Sequence, residues 1–281
     1  MKKRSNFVSA KWLNENRTKT DLVILDATMK KKPNGETIAE PKVKIPGAKI
    51  FNFDTEICDQ LSELPHMLPS AKQFEQSVAA LGINRDSNIV VYDAMGIFSS
   101  PRVWWMFKSM GHHSISVLDG GLPNWVAAGY ATVDDYSMPS DSGNFKARSD
   151  PATVATVNQV LDSIDDQQFK VMDARSFSRF NGYEAEPRTE LTRGHIPNSF
   201  CLPFTELLLN GLIKPPSELA EIFSKIVLSE QENIIFSCGS GVTACILAIA
   251  ADQCGYQNYS VYDGSWSEWG ASEDLPIERS N

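Results

Sequence analysis

Cys238 closes the apolar run Ile234-Ile235-Phe236-Ser237 and opens the loop Gly239-Ser240-Gly241-Val242-Thr243, after which Ala244-Cys245-Ile246-Leu247 begins an apolar helix. That placement suits nucleophilic sulfur. A loop between a buried strand and a helix N-terminus aims backbone N–H groups into its mouth and favours negative charge there. A thiol so placed can have its pKa lowered from about 8.5 to roughly 3.5–7.5, which makes an exposed thiolate at neutral pH. The alternative is a small buried hydrophobe, the usual fate of a free cysteine.

The second stretch with chemical potential runs from Asp173 to Arg188 and holds arginines at 175, 179 and 188. A guanidinium is a planar fork of donors that matches a carboxylate. The competing reading pairs each arginine with a neighbour such as Glu184 or Glu186.

The elements that must position these groups are written twice. Asn88-Ile89-Val90-Val91-Tyr92-Asp93 mirrors Asn233-Ile234-Ile235-Phe236-Ser237-Cys238, and Ser116-Val117-Leu118-Asp119-Gly120-Gly121 mirrors Ser260-Val261-Tyr262-Asp263-Gly264-Ser265. Upstream, Val23-Ile24-Leu25-Asp26-Ala27 mirrors Lys170-Val171-Met172-Asp173-Ala174, and Ile45-Pro46-Gly47-Ala48 mirrors Ile196-Pro197-Asn198-Ser199. The elements recur in one order at an offset of about 145–151 residues, too long for a solenoid repeat, so the chain is a duplicated domain. The second copy has cysteine where the first has Asp93.

Short apolar strands alternating with helices predict parallel α/β folding. Strands are expected near 22–26, 88–92, 115–118, 169–173, 233–237 and 259–262. Capping boxes at Ser70-x-x-Gln73 and Thr156-x-x-Gln159 mark two helix starts, and Phe7 to Leu13 reads as the first helix start. Residues 138–150 are rich in Ser, Asp, Pro and Gly and read as a linker. The expected division is a non-catalytic domain over 1–137, the linker over 138–150, and a catalytic domain over 151–281.

Composition sets limits. The net charge of −9 argues against nucleic acid or an anionic membrane as partner, and no apolar stretch is long enough to span a bilayer. Met1-Lys2-Lys3-Arg4 is basic, but Lys11, Asn14, Glu15 and Arg17 interrupt any apolar leader core, so the cytoplasm is expected. The five cysteines lack the spacing of a disulfide framework or a zinc site. Cys245 and Cys254 are expected to be small apolar residues, and Cys58 and Cys201 to lie in connecting segments.

Together these residues resemble the tandem-domain rhodanese family of sulfurtransferases. The resemblance rests on Cys238-Gly239-Ser240-Gly241-Val242-Thr243-Ala244, Ser100-Pro101-Arg102-Val103-Trp104-Trp105, Arg193-Gly194-His195-Ile196-Pro197 and Tyr262-Asp263-Gly264-Ser265-Trp266, and it spans essentially the whole chain. It implies two tandem rhodanese-like α/β domains, each a parallel sheet flanked by helices, with the catalytic cleft between them. The neutral pair Gly239 and Ser240 is similar to the loop of the mercaptopyruvate-using members; the thiosulfate-using members carry a basic pair there.

The resemblance implies transfer of the sulfur of 3-mercaptopyruvate, through a persulfide on Cys238, to cyanide or a thiol such as thioredoxin, with release of pyruvate. Arg179 and Arg188 would bind the substrate, and Gly239, Ser240, Gly241, Val242 and Thr243 would stabilise the persulfide. Ser240, His66 and Asp54 would form a relay, although the spacing of the last two is one residue longer than the family pattern. No metal or organic cofactor is expected. Arg175, Arg193, His195 and Lys44 are expected to be structural, and Arg102 to sit at the domain interface. Two alternatives are a thiosulfate:cyanide sulfurtransferase and a non-catalytic docking module. A cysteine phosphatase is disfavoured, because Ala244 stands where it would need arginine.

Overall fold

The computed structural model describes residues 5–31, 36–227 and 232–280. In the first half β1 (Phe7–Val8), β2 (Leu22–Asp26), β3 (Ala48–Ile50), β4 (Asn88–Tyr92) and β5 (Ile115–Leu118) form one sheet in the order β1-β5-β4-β2-β3. The second half supplies β6 (Val154–Ala155), β7 (Phe169–Asp173), β8 (Phe200–Cys201), a hairpin of β9 (Leu208–Leu209) and β10 (Leu212–Ile213), then β11 (Asn233–Ser237) and β12 (Tyr259–Tyr262). Its sheet runs β6-β12-β11-β7-β8, the same order as the first, and every pairing in both sheets is parallel. The duplication in sequence is a duplication in topology. All six expected strands have the expected bounds.

The helices are α1 (Ala10–Asn16), α2 (Ala71–Ala80), α3 (Ser100–Ser109) and α4 (Gly121–Ala127), then α5 (Val157–Ser163), α6 (Phe177–Phe180), α7 (Pro216–Ser224), α8 (Ala244–Cys254) and α9 (Ser265–Trp269). Both capping boxes form, with Ser70 and Gln73 at α2 and Thr156 and Gln159 at α5. Ser9 caps α1 by accepting a hydrogen bond from Trp12 N. Phe7 and Val8, read from sequence as helix, instead pair with Val117 and Leu118 as an edge strand. Cys201, expected in a connection, is likewise in the short strand β8.

The pairs β4–α3 and β11–α8 face each other across the domain boundary. α8 is buried along Ala244–Asp252, and α3 is buried at every residue except Lys108. A helix apolar on all sides has to be covered on all sides. These two cover each other, so a single hydrophobic cluster runs through both halves, from Phe74 and Trp104 to Ile246 and Phe236.

Two reciprocal hydrogen bonds reinforce the boundary. Asp263, following β12, accepts from Leu68 N of the first half at 2.7 Å, and Asp119, following β5, accepts from Ile213 N of the second at 2.9 Å. Leu68 and Ile213 each lead into the helix after the third strand of their copy. Residues 138–150 form no regular element but are a fastened strap. Gly143, Phe145, Arg148 and Asp150 donate their amides to Ala79, Ile83, Met110 and Ser109, and Phe145 is buried against Phe74 and Phe107.

Candidate functional site

Cys238 stands at the carboxyl end of β11, where ligand sites of open α/β sheets lie. It is only 2% exposed, so the side chain expected from sequence to be exposed is recessed. It opens onto a cavity of about 190 Å³ lined by Met29 and Phe98 of the first half and by Ala174, Ser176, Arg179, Arg188, Phe204, Gly239, Ser240, Val242 and Thr243 of the second, among others. The walls therefore come from both halves.

The loop is shaped from behind by the start of α9. Trp266 N donates to Cys238 O at 3.0 Å, and Ser267 N donates to Gly239 O at 2.9 Å. The Ser267 hydroxyl donates to the same Gly239 carbonyl at 2.7 Å. Gly241 O accepts from Arg102 Nη1 and from the Cys245 thiol, each at 3.2 Å. A trans peptide sets each N–H opposite the preceding C=O. Anchoring the carbonyls of Cys238, Gly239 and Gly241 therefore turns the amides of Gly239, Ser240 and Val242 away from the anchors. Among the described residues, the amides of Gly239, Ser240, Val242 and Thr243 have no hydrogen-bond partner, and all four residues line the cavity.

Gly241 departs from expectation. Its amide donates to Ser265 Oγ at 3.1 Å, as does Cys238 N at 3.2 Å, so it is not a donor for an anion in the cavity. Gly241 serves the turn instead: its φ is +71°, and a Cβ there would lie 2.7 Å from Asp263 O. Ser265 is itself left-handed, with φ +50°, a conformation costing a residue with a side chain about 1–2 kcal/mol. Its two accepted amides, and its hydroxyl donated to Tyr262 O at 2.7 Å, offset that cost. In the sequence Ser265 stands out only as a member of the run Tyr262–Trp266, and Ser267 not at all. The available signal for Ser265 was the contrast between Asp119-Gly120-Gly121 and Asp263-Gly264-Ser265, a serine where the other copy has glycine.

The first copy shows what the loop amides do when an anion is built in. The Asp93 Oδ2 accepts from the amides of Phe98, Ser99 and Ser100 at 2.9–3.1 Å and from the Ser100 hydroxyl at 2.7 Å, while Oδ1 accepts from Met95 N. Its own carboxylate fills its own cradle. With Cys238 in that position, the amides of Gly239, Ser240, Val242 and Thr243 are open among the described residues.

The sequence brings Arg179 and Arg188 to the cavity, and both competing readings of Arg179 hold at once. Arg179 sits on α6, whose N-cap Ser176 accepts from its amide. Its Nε donates to Glu186 Oε1 at 3.2 Å and its Nη2 pairs with Oε2, so one edge of the fork is occupied. Glu186 also accepts from Arg175 Nη1 at 2.9 Å. Arg188 is half-buried and donates Nη1 to Ser267 Oγ at 3.2 Å. Burial holds its pKa below the usual arginine value, with the Arg179 charge adding to the effect and Glu190, Cys238 and Glu186 opposing it. Arg188 keeps more of its fork free than Arg179 does. A Cβ at Gly239 would come 3.1 Å from Arg179 Nη2, so the absence of a side chain there leaves room for that guanidinium.

Arg175 also lines the cavity, but its guanidinium is committed to protein partners. It forks onto Asp173, donates to Gly194 O at 2.9 Å and lies 4.3 Å from the centre of the Trp266 ring. His195 stacks on Phe180 at 3.8 Å, and Lys44 donates to Asp134 O at 2.9 Å. Arg102 is the expected interface residue: its Nη1 lies 2.5 Å from Asp263 Oδ1, and its Nη2 donates to His66 O.

His66 and Asp54 are brought together but not to the cavity wall. Nδ1 of His66 lies 2.8 Å from Asp54 Oδ1. Burial raises the Asp54 pKa, but the His66 ring and the amides of Lys30 and Lys31 outweigh it, and the net shift is downward. Ser240 lines the cavity, whereas neither His66 nor Asp54 does.

Among the other thiols, burial pushes Cys201 up to about 12 and raises Cys245, which is fully buried at the start of α8, seven residues beyond Cys238. Among the described residues no cluster of His, Cys, Asp and Glu could hold a metal ion, and no helix is long and apolar enough to cross a membrane.

Two parallel-sheet domains in one strand order, with a cysteine cradle in the second, define a tandem rhodanese architecture. The rhodanese-like domain matches residues 9–128 and again 156–272, and the chain belongs to the rhodanese family. It is 39% identical over 276 residues to the 3-mercaptopyruvate sulfurtransferase of Escherichia coli (strain K12), covering 97% of each chain. It is 40% identical over 295 residues to thiosulfate/3-mercaptopyruvate sulfurtransferase 1, mitochondrial, of Arabidopsis thaliana, covering 96% of this chain and 77% of that one. The crystal structure of SseA from Escherichia coli, a 3-mercaptopyruvate sulfotransferase of the rhodanese fold, superposes with a TM-score of 0.80 at 34% identity, covering 94% of this chain and 99% of that one.

Proposed function

We propose that the protein is a 3-mercaptopyruvate sulfurtransferase working through a persulfide on Cys238. One observation carries the proposal: a recessed cysteine shares a small cavity with two arginines and with four loop amides, and those amides have no partner among the described residues. The names of the relatives support the same donor.

Arg188 binds the carboxylate of 3-mercaptopyruvate, and the free donors of Arg179 reach its ketone. Cys238, as thiolate, attacks the substrate sulfur. The new S–S bond forms as the C–S bond breaks, and that electron pair leaves as the enolate of pyruvate, which takes up a proton from Ser240 or water. The thiol proton of the substrate is lost from the persulfide, whose anion then rests on the amides of Gly239, Ser240, Val242 and Thr243. A thiol such as reduced thioredoxin, or cyanide, attacks the outer sulfur and restores the Cys238 thiolate. His66 and Asp54 act, in this reading, through the Arg102 clamp on the loop and not on the substrate. The cytoplasm is the proposed compartment, in keeping with a mechanism that needs Cys238 reduced.

Thiosulfate is the weaker donor in this reading, because Gly239 and Ser240 add no positive charge and a basic side chain at 239 would collide with Arg179. The test is thiocyanate formation from cyanide with each donor on one preparation. A kcat/KM favouring 3-mercaptopyruvate supports the proposal; a preference for thiosulfate replaces it with the rhodanese reaction, and turnover of neither replaces it with a docking role.

A further inference from the structure

Ser267 is 5% exposed and was selected by no motif, yet it touches both halves of the binding machinery. Its hydroxyl has one proton and donates it to Gly239 O at 2.7 Å, and its oxygen accepts from Arg188 Nη1 at 3.2 Å. Its backbone amide donates to the same Gly239 carbonyl at 2.9 Å. The Gly239 carbonyl and the Ser240 N–H belong to one rigid peptide unit and point in opposite directions. Whatever holds that carbonyl therefore aims the Ser240 amide.

We infer that Ser267 is a positioning residue that locks the carboxylate-binding arginine, Arg188, to the sulfur-binding amide of Ser240. The inference rests on the substrate roles proposed above for those two groups. The hydroxyl acts as a two-way relay: the Arg188 charge polarises the O–H and strengthens its bond to Gly239 O, and the fixed carbonyl holds the oxygen where Arg188 needs it. The distance between the two binding points is thereby set, and with it a preference for donors whose anionic group and sulfur are separated by the length of a short α-keto acid. Ser265 and Trp266 hold the rest of the loop through contacts that do not involve Arg188, so the coupling is particular to Ser267.

The test uses alkylation of Cys238, which needs no sulfur transfer. Iodoacetate carries a carboxylate and iodoacetamide does not, so the ratio of their rates at Cys238, read by mass spectrometry, reports the pull of Arg188. Ser267→Ala is expected to lower that ratio roughly tenfold, the loss typical of one charged hydrogen bond, and Ser267→Thr to restore most of it. Adding Ser267→Ala to Arg188→Gln is expected to lower it less than about twofold further, since coupled residues are not additive. Thermal midpoints of all variants identify any that fail to fold, and for these the threonine variant carries the test. In turnover, Ser267→Ala is expected to raise KM for 3-mercaptopyruvate more than it lowers kcat.

An unchanged alkylation ratio, or full additivity with Arg188→Gln, would overturn the inference. Failure of the wild-type enzyme to turn over mercaptopyruvate would instead count against the proposed function, while the alkylation ratio would still decide the role of Ser267.

Discussion

Arg102 of the first half and Asp263 of the second form a buried ion pair at 2.5 Å that ties the domain boundary to the cysteine loop. Asp263 also accepts from Leu68 N, and Arg102 also donates to Gly241 O, so one pair joins α3, the end of β12, the Leu68 segment and the Gly241 turn. Arg102 also lies 4.5 Å from the centre of the Trp105 ring. The Asp119–Ile213 contact that mirrors this clasp has no arginine described on it. The reinforcement is therefore on the side that carries Cys238.

Removing the cation leaves Asp263 buried with its charge uncompensated. Arg102→Leu is expected to lower the unfolding free energy by about 3–5 kcal/mol, measured by denaturant titration. A loss below about 1 kcal/mol would show that the pair is not a principal fastening of the two domains.

Asp93 and Cys238 occupy equivalent positions with opposite consequences. Asp93→Ala deprives four amides and a hydroxyl of their acceptor, and an unsatisfied buried polar group costs about 1–3 kcal/mol. A drop of several kcal/mol in stability is expected, with KM for 3-mercaptopyruvate unchanged in the folded enzyme. A large change in KM at constant stability would assign the first-domain loop a direct part in binding.

Much of the fold was legible because the central strands are short, apolar and bounded by turns, and because each capping box fixes a helix start locally. The two-residue edge strands β1, β6 and β8 carry no periodicity, and their pairing depends on the neighbouring strand. The strap over 138–150 has a linker's composition, but its attachment comes from backbone groups that composition does not encode. At the site, Cys238, Arg179 and Arg188 were found because their side chains announce a chemistry. Ser265 and Ser267 act by bonding the loop backbone, and Glu186 by taking one edge of Arg179. Those roles arise only when the chain folds.

Arg188 and Gly239 separate charge from space. Arg188→Leu is expected to raise KM for 3-mercaptopyruvate roughly 10–100-fold through loss of charge-assisted hydrogen bonds. Gly239→Ala pushes only on the end of Arg179, a flexible neighbour, and a rise of several-fold is expected with an unchanged thermal midpoint. Steady-state kinetics on both variants decides; equal effects would mean that Arg188 does not bind the carboxylate.

Asp54 gives a pH signature. Its folded pKa lies below the ordinary value of 3.8, chiefly because the His66 attraction and two backbone amides outweigh burial. A carboxyl depressed on folding contributes stability that is present above its unfolded pKa and is lost as pH falls through the lower folded value. Asp54→Asn is therefore expected to be less stable than the parent at neutral pH, with the gap narrowing as pH falls below 3.8. A gap constant with pH, in thermal melts across that range, would mean the carboxylate charge is not what matters.

The most direct test of the account is the intermediate itself. The enzyme is mixed with 3-mercaptopyruvate in the absence of any acceptor, and intact-protein and peptide mass spectrometry are run beside a pyruvate assay. The account predicts one added sulfur atom per chain, located on Cys238, formed with an equal amount of pyruvate and absent from Cys238→Ser. Pyruvate release without sulfur on Cys238, or sulfur carried on another cysteine, would contradict it.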